Sequence, residues 1–446
     1  HLIQSCILLS NKRDNYMLQL ILLLSGANFV RKYSIALVFM GLAWGGLGVS
    51  IFIDGLNGMR FFPLHFFGGL LLIDSLITLI LAPSGIGAQK SILYFKGIIF
   101  LTVSFLIMFG QHKGNLILAI ILGFSFFIMG LFIIATALVV RYSNWKGSLL
   151  YGIGQILFAI FLFLPYPTNH EGTVSQFLGA FMMLGAFKCL ILAWKAYNLT
   201  EGVAVFNLLA PGGMFTSSLV IDDYNSINDV SSQELIIHVW TPEGSAAGQT
   251  IARPLINRYI AAVDVNGVIS TGHAALELKN EIYISLYPAV DIDRSPSEFF
   301  NTLKAVKENN VPGQFQESYD KESASWCESD RKVCFSTYNP VGLRRYWNQY
   351  SKTAIYNLTW RNCSSSVAYG LEAALDGVFA KYGLLNALHL FFIPELWIAA
   401  QIRRRATTMA WTPGLVLDYA RALQTVVQPT KPSLIRRLFL KNKGVK

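Results

Sequence analysis

Six nearly uncharged apolar runs crowd into the first 200 residues, at about 34–54, 62–83, 92–110, 116–140, 147–165 and 174–195. An α-helix rises about 1.5 Å per residue, so about 20 apolar residues cross the hydrocarbon core of a bilayer, and each run is close to that length. With 446 residues that are 53% hydrophobic and 14% charged, the chain is too apolar for a water-soluble protein of its size. The segment "MLQLILLLSGANFV" ahead of the runs is cut off by Arg31 and Lys32, so it reads as an interfacial helix rather than a seventh span. Residues 1–33 are therefore expected to form an N-terminal extension.

The runs also repeat. Gly41 in "FMGLAW", Gly97 in "FKGIIF" and Gly152 in "LYGIGQ" recur at a spacing of about 55 residues, and Gly68, Gly123 and Gly179 keep the same spacing in the alternate runs. The expected unit is a helical hairpin present three times, with small residues letting backbones approach in lipid. Asp74 in "LLLIDSLITLI" is the one acidic residue deep in a run; a functional role and an interhelical hydrogen bond both fit it. Met129 and Gly185 stand at its place in the other two repeats, which favours the packing role.

Basic residues orient the bundle. Lys12, Arg13, Arg31, Lys32, Lys90, Lys96, Arg141, Lys146 and Lys195 fall on one side, against Arg60 and Lys113 on the other, so both ends are expected in the cytoplasm. "RRR" at 403–405 and the tail "KPSLIRRLFLKNKGVK" contribute much of the +10 net charge and are expected to face anionic lipid on that side. These cations are not interleaved with aromatic platforms, which argues against nucleic acid as a partner. The repeats, together with "WKGSLLYGIGQILFAIFLFLP", resemble the HdeD family (domain of unknown function 308), six-helix bacterial inner-membrane proteins linked to acid resistance. That resemblance covers about residues 30–200 and implies a bacterial inner-membrane location for a six-helix domain over 34–197.

After a linker at 198–230 the pattern changes. "ELIIHVW", "NRYIAAVDV", "GVISTGHAALEL" and "EIYISLYP" alternate like strands between turn signals, and an antiparallel sheet is expected. "SPSEFFNTLKAVKEN" predicts a helix capped by Ser295 with Glu298 closing a capping box; "VCFST" reads as a strand and "GLRRYWNQYSK" as a short helix. In "TWRNCSSSVAYGLEAAL" the stripe Val367, Leu371, Ala374 and Val378 predicts a helix from about Cys363 to Phe379, capped by Asn362 and the serines. The expected architecture is a membrane six-helix bundle followed by an α+β domain over 231–383, with amphipathic helices and the basic tail over 384–446.

A thiol at a helix start feels the positive end of the helix dipole, which favours thiolate, yet a lone cysteine under a helix is as often plain core. A nucleophile also needs a base. His238 lies among hydrophobic strand residues and His389 in the apolar "NALHLFFIPELW", whereas His273 follows Gly272 at the start of "HAALEL", a place suited to a site rim. The order "GHAALEL", "YISLYP", then "NC" opening a helix resembles the permuted NlpC/P60 group, papain-like thiol enzymes that include relatives of lecithin:retinol acyltransferase. The resemblance implies a papain-like fold, Cys363 as nucleophile and His273 as base. It also implies an orienting residue on the next strand, where Ser285 and then Tyr283 are the candidates. Where the acyltransferase relatives often carry a histidine, this chain has none, and "SSSVAYG" replaces their continuation after "NC".

Cys327 and Cys334 in "WCESDRKVCF" are spaced too widely for a zinc knuckle, and a disulfide between them would place this domain outside the cytoplasm, against the loop charges. No cofactor or metal is expected. Two functions remain open: a membrane-anchored cysteine hydrolase or acyltransferase acting on a lipid, lipoprotein or peptide, and a non-enzymatic HdeD-like stress protein with a partner-binding polar domain. "LLNALHLFFIPELWIAAQIRRR" fits an interfacial helix beside the membrane or a packed core helix.

Overall fold

The computed structural model describes residues 16–56, 62–84, 88–109, 111–141, 145–165, 170–200, 202–210, 219, 233–246, 248–251, 253, 257, 261–265, 269–292 and 299–429. The Ser295 cap and the basic tail lie outside these residues, as do Lys12, Arg13 and Arg60 of the charge pattern. The chain divides into two compact units: one holds 31–199 with 303–306, the other 16–30, 200–302 and 307–446.

The first unit is helical. Its long helices are α3 (Ser34–Leu56), α4 (Phe62–Leu81), α5 (Ala88–Phe109), α6 (Gln111–Val140), α7 (Trp145–Phe163) and α8 (Glu171–Tyr197), preceded in sequence by α1 (Tyr16–Ser25) and α2 (Ala27–Lys32). Among the described residues, four helical stretches are long and apolar enough to cross a membrane: Ser34–Leu56, Leu116–Val140, Trp145–Phe163 and Gly172–Tyr197. The apolar stretches His65–Ile80 and Gly97–Phe109 are shorter. Phe39, Ile73, Phe95, Ile128, Leu157 and Phe187, one from each helix, are exposed large apolar side chains, which suits a surface solvated by lipid.

The glycine repeat packs helices between successive hairpins, not within them. A Cβ on Gly41 would meet Leu190 of α8 and one on Gly179 would stand 2.7 Å from Phe52 N of α3; Gly97 and Gly68 join α5 to α4 through Leu79 and Ile107. Gly152 and Gly123 join α7 to α6 through Ile134 and Phe163. Each hairpin thus lends one helix to a tight pair with the hairpin before it, and α8 closes the set on α3. At Gly48 a Cβ would sit 2.9 Å from Gly179 O, so any side chain there would force this pair apart. Asp74 is half-buried on α4.

The second unit is α+β. Its elements after α9 (Phe206–Leu209) are β1 (Leu235–Trp240), β2 (Ala262–Val263), β3 (Ile269–Ser270), β4 (His273–Leu278), β5 (Ile282–Ile284), β6 (Leu286–Pro288) and α10 (Phe299–Thr302). There follow β7 (Val311–Phe315), α11 (Tyr319–Ser325), β8 (Arg331–Phe335), α12 (Pro340–Tyr350), β9 (Ile355–Tyr356), α13 (Cys363–Leu375), α14 (Leu384–Leu390), α15 (Pro394–Thr408) and α16 (Pro413–Val427). A four-stranded sheet runs β5-β4-β1-β8 and a three-stranded sheet β6-β7-β9, both antiparallel, with β2 and β3 as a separate pair. The strand expected over "NRYIAAVDV" is described only at Ala262–Val263, and the helix expected over "SPSEFFNTLKAVKEN" only at Phe299–Thr302.

All thirteen residues of α13 are buried. Gly370 lets it lie on Leu276 of β4 and Ile284 of β5, with Tyr346 of α12 alongside. The helix stops at Leu375, earlier than the expected Phe379, because Asp376 turns out (ψ 116°) to accept Phe206 N at 2.8 Å and Gly377 takes φ +76°.

Two expectations change here. Helix α1, expected at the bilayer interface within an N-terminal extension, is part of this unit's core: all ten of its residues are buried. Its last carbonyls, orphaned in any helix, accept Gly377 N at Leu23 O and Phe379 N at Leu24 O, both at 2.8 Å. A helix that is apolar all round needs cover on every side, and α13, α14 and α15 supply it. Arg403, expected among basic residues facing lipid, is 2% exposed and pairs with Glu372, which is 0% exposed (Nε to Oε1 2.7 Å, Nη2 to Oε2 3.1 Å). Tyr419 OH donates to Glu372 Oε1 at 2.9 Å and Arg403 Nη2 also donates to Leu209 O at 3.2 Å. Helices α15 and α16 are therefore core helices of the same unit as the sheets, since this pair ties both to α13.

Candidate functional site

Cys363 is placed by the turn before it. The Arg361 guanidinium is buried and donates Nη2 to Tyr350 O (2.9 Å) and Thr353 O (2.6 Å) and Nε to Ile355 O (3.1 Å), while lying 3.8 Å over the Tyr350 ring. Asn362 then caps the helix: its Oδ1 accepts Ser365 N at 2.8 Å and Ser365 Oγ accepts Asn362 N at 2.8 Å. Its Nδ2 donates to Leu358 O (2.8 Å) and Trp411 O (3.0 Å), tying the cap to the turn before α16. The expected cap is thus present, with serine rather than an acid closing the box, and Cys363 is the first helical residue.

The histidine arrives on β4. Gly272 precedes it at φ +70°, where a Cβ would collide with Trp240 O, so the sharp entry into the strand requires glycine. Strand β5 pairs with β4 only at Leu276–Leu278 and then ends, because beyond Ser285 the chain leaves this sheet to pair as β6 with β7. The first residues of β4 are therefore clear of the β5 ladder, and the Ala274 backbone is near enough to the Cys363 thiol to favour its thiolate. The thiol also lies 3.7 Å from Ser364 Oγ.

His273 is 3% exposed, with Tyr287 stacked on its ring at 4.1 Å and Trp240 at 5.4 Å. Its Nε2 lies 2.8 Å from Ser285 Oγ, and Ser285 Oγ donates to Glu322 Oε2 at 2.7 Å. Glu322 Oε1 is 3.4 Å from the same ring nitrogen. Ser285, expected to orient the histidine, contacts it directly; Tyr283 instead donates to Glu322 Oε2 at 2.8 Å. Glu322, 3% exposed, was missed. It lies on α11, with Glu317, Asp320 and Glu328 close by in sequence, and nothing local in the sequence separates the buried acid from these exposed neighbours.

Burial dominates the electrostatics. It pushes the Cys363 thiol up, against the lowering effect of the Ser364 and Ala274 donors, and it drives the His273 imidazole down to about 3. At neutral pH the two groups thus rest as thiol and neutral imidazole. Among the described residues no hydrogen bond joins Cys363 Sγ to the His273 ring. The structure brings His273, Ser285 and Glu322 into one hydrogen-bonded chain, and Cys363 near the backbone of Ala274, the residue after His273.

His238 is satisfied, as its apolar surroundings led one to expect: Nε2 pairs with Glu277 Oε2 at 2.8 Å, Nδ1 with Ser329 Oγ at 3.1 Å, and its ring stacks on Tyr319 at 3.9 Å. His389 sits half-buried on α14. Cys327 and Cys334 are reduced, and among the described residues no group of three or more His, Cys, Asp or Glu is placed to hold a metal ion. No protein family, curated protein or solved structure matches the chain.

Proposed function

We propose that this chain is a membrane-anchored cysteine hydrolase or acyltransferase of papain-like, NlpC/P60 type, acting on an ester, thioester or amide at the bilayer surface. The observation that carries this reading is the meeting of a capped helix start with a strand start: Cys363 opens the helix beside the Ala274 backbone, which favours its thiolate, and the residue before Ala274, His273, is tied to Ser285 and Glu322. In the reaction His273 takes the Cys363 proton and the thiolate adds to the substrate carbonyl, whose oxygen becomes negative and is received by amides at the helix start. Collapse of this adduct breaks the bond to the leaving group, which departs with the proton from His273 and leaves the acyl group on Cys363. Water, deprotonated by His273, releases the acid; an amine or hydroxyl in its place gives acyl transfer.

The anchor is a six-span HdeD-like bundle in a bacterial inner membrane, with the α+β unit on its cytoplasmic side. Long apolar helices support the anchor, and anchoring favours a phospholipid, lipoprotein or lipid-linked peptide as substrate.

Burial of both partners favours a second reading, in which Cys363 is core and the α+β unit of a non-enzymatic stress protein binds partners. Alkylation separates the two. Iodoacetamide at neutral pH labels Cys363 ahead of the other cysteines in the catalytic reading, where His273 takes up the thiol proton, and His273→Ala abolishes the preference. Equal labelling, or labelling indifferent to His273→Ala, leaves only the second reading.

A further inference from the structure

We infer that Glu322 is a positioning residue that, through Ser285, holds His273 as its Nε2–H tautomer and so leaves Nδ1 as the ring's basic nitrogen, free to take the thiol proton. This rests on the thiol reading of the site. A carboxylate has no proton to give, and three hydroxyls surround this one: Tyr283 OH and Ser285 Oγ on Oε2 (2.8 and 2.7 Å) and Tyr287 OH on Oε1 (2.8 Å). Each hydroxyl carries one hydrogen, so Ser285 spends its own on Glu322. Ser285 Oγ can then only accept from His273 Nε2, 2.8 Å away, and that nitrogen carries the ring proton. A neutral imidazole has one N–H, so Nδ1 keeps its lone pair.

The same carboxylate serves the next step. When Nδ1 accepts the thiol proton the ring becomes a cation, and Glu322 Oε1 stands 3.4 Å from its Nε2. Burial opposes that cation, and a paired carboxylate in the same dry cluster offsets the penalty. The groups around the imidazole and its carboxylate are Tyr283 of β5, Tyr287 of β6, Glu322 of α11, Cys363 of α13 and the Cys327 thiol, whose titration feels Glu322. Replacing the carboxylate by an amide supplies donors where only acceptors stood. Ser285 is then released to donate to Nε2, and the ring turns to the Nδ1–H form, which has no lone pair for the thiol.

The test uses the full chain in detergent. Cys363 alkylation by iodoacetamide is followed by peptide mass spectrometry from pH 5 to 9 in wild type, Glu322→Gln, Glu322→Asp and His273→Ala, with melting curves for each. Glu322→Gln is expected to lower the alkylation rate at pH 7 at least tenfold, with Glu322→Asp between the two. A Glu322→Gln profile that coincides with wild type, while His273→Ala slows alkylation at pH 7, overturns this inference and leaves the thiol reading standing. A wild-type profile unaffected by His273→Ala overturns both. Should Glu322→Gln fail to fold, the ring nitrogens of 15N-histidine-labelled wild type decide: His273, assigned by its loss in His273→Ala, must show Nε2 protonated and Nδ1 bare, and the opposite tautomer refutes the inference.

Discussion

Replacing Arg403 with methionine separates a buried ion pair from a lipid-facing cation. Arg403 is 2% exposed and its partner Glu372 is fully buried, so the substitution leaves a carboxylate in the core with Tyr419 OH as its remaining donor among these contacts. Removing one partner of a buried pair costs about 3–5 kcal/mol, and Leu209 O loses a donor worth about 1 kcal/mol more. At about 2–4 °C per kcal/mol for a domain of this size, the α+β unit should melt about 10 °C earlier. Tryptophan fluorescence of the full chain in detergent, read against temperature with limited proteolysis as a second probe, measures this. The double variant Glu372→Met with Arg403→Met should recover most of the loss, since it removes both charges from the core, and the cycle reports their coupling. Arg405 is exposed two residues on, and Arg405→Ala should stay within about 0.5 kcal/mol of wild type. If Arg403→Met behaves like Arg405→Ala, the pair does not exist in solution and α15 is not a core helix.

Acid should weaken the α+β unit. The folded state holds His273 at about 3 against about 6.5 when unfolded, and burial lowers His238 as well. Above about pH 6.5 neither state binds the proton; as pH falls below that value only the unfolded state takes it up. Stability is thus lost between about pH 6.5 and 3, by up to about 1.4 kcal/mol per pH unit for His273, and a flat melting temperature from pH 7 to 4.5 would contradict the burial of the ring. In the membrane unit, Gly179→Leu should separate α8 from α3, because even a Cβ would stand 2.7 Å from Phe52 N. A cysteine pair placed across these helices should then cross-link several-fold less than in wild type, and equal cross-linking would refute the packing.

The local signals were legible. The apolar runs, the strand alternation of "ELIIHVW" and "HAALEL", and the asparagine cap before Cys363 each depend on residues within one helix or strand, and each appears in the structure. Even the pairing of Ser285 with His273 was within reach, since neighbouring strands fix which residues stand together. What periodicity does not carry is which distant segment covers which face. The ten residues of α1 look like any short apolar helix until α13, α14 and α15 surround them, and Arg403 looks like a surface cation until Glu372 faces it from another helix. Glu322 was invisible for the same reason: an acid on a seven-residue helix becomes part of a histidine site only because the chain leaves one sheet for another at Ser285 and folds α11 back over that break. The sequence by itself determined the helices, strands and caps, whose energies are local. Tertiary structure alone decided which polar groups would be taken out of water together, and therefore which of them share protons.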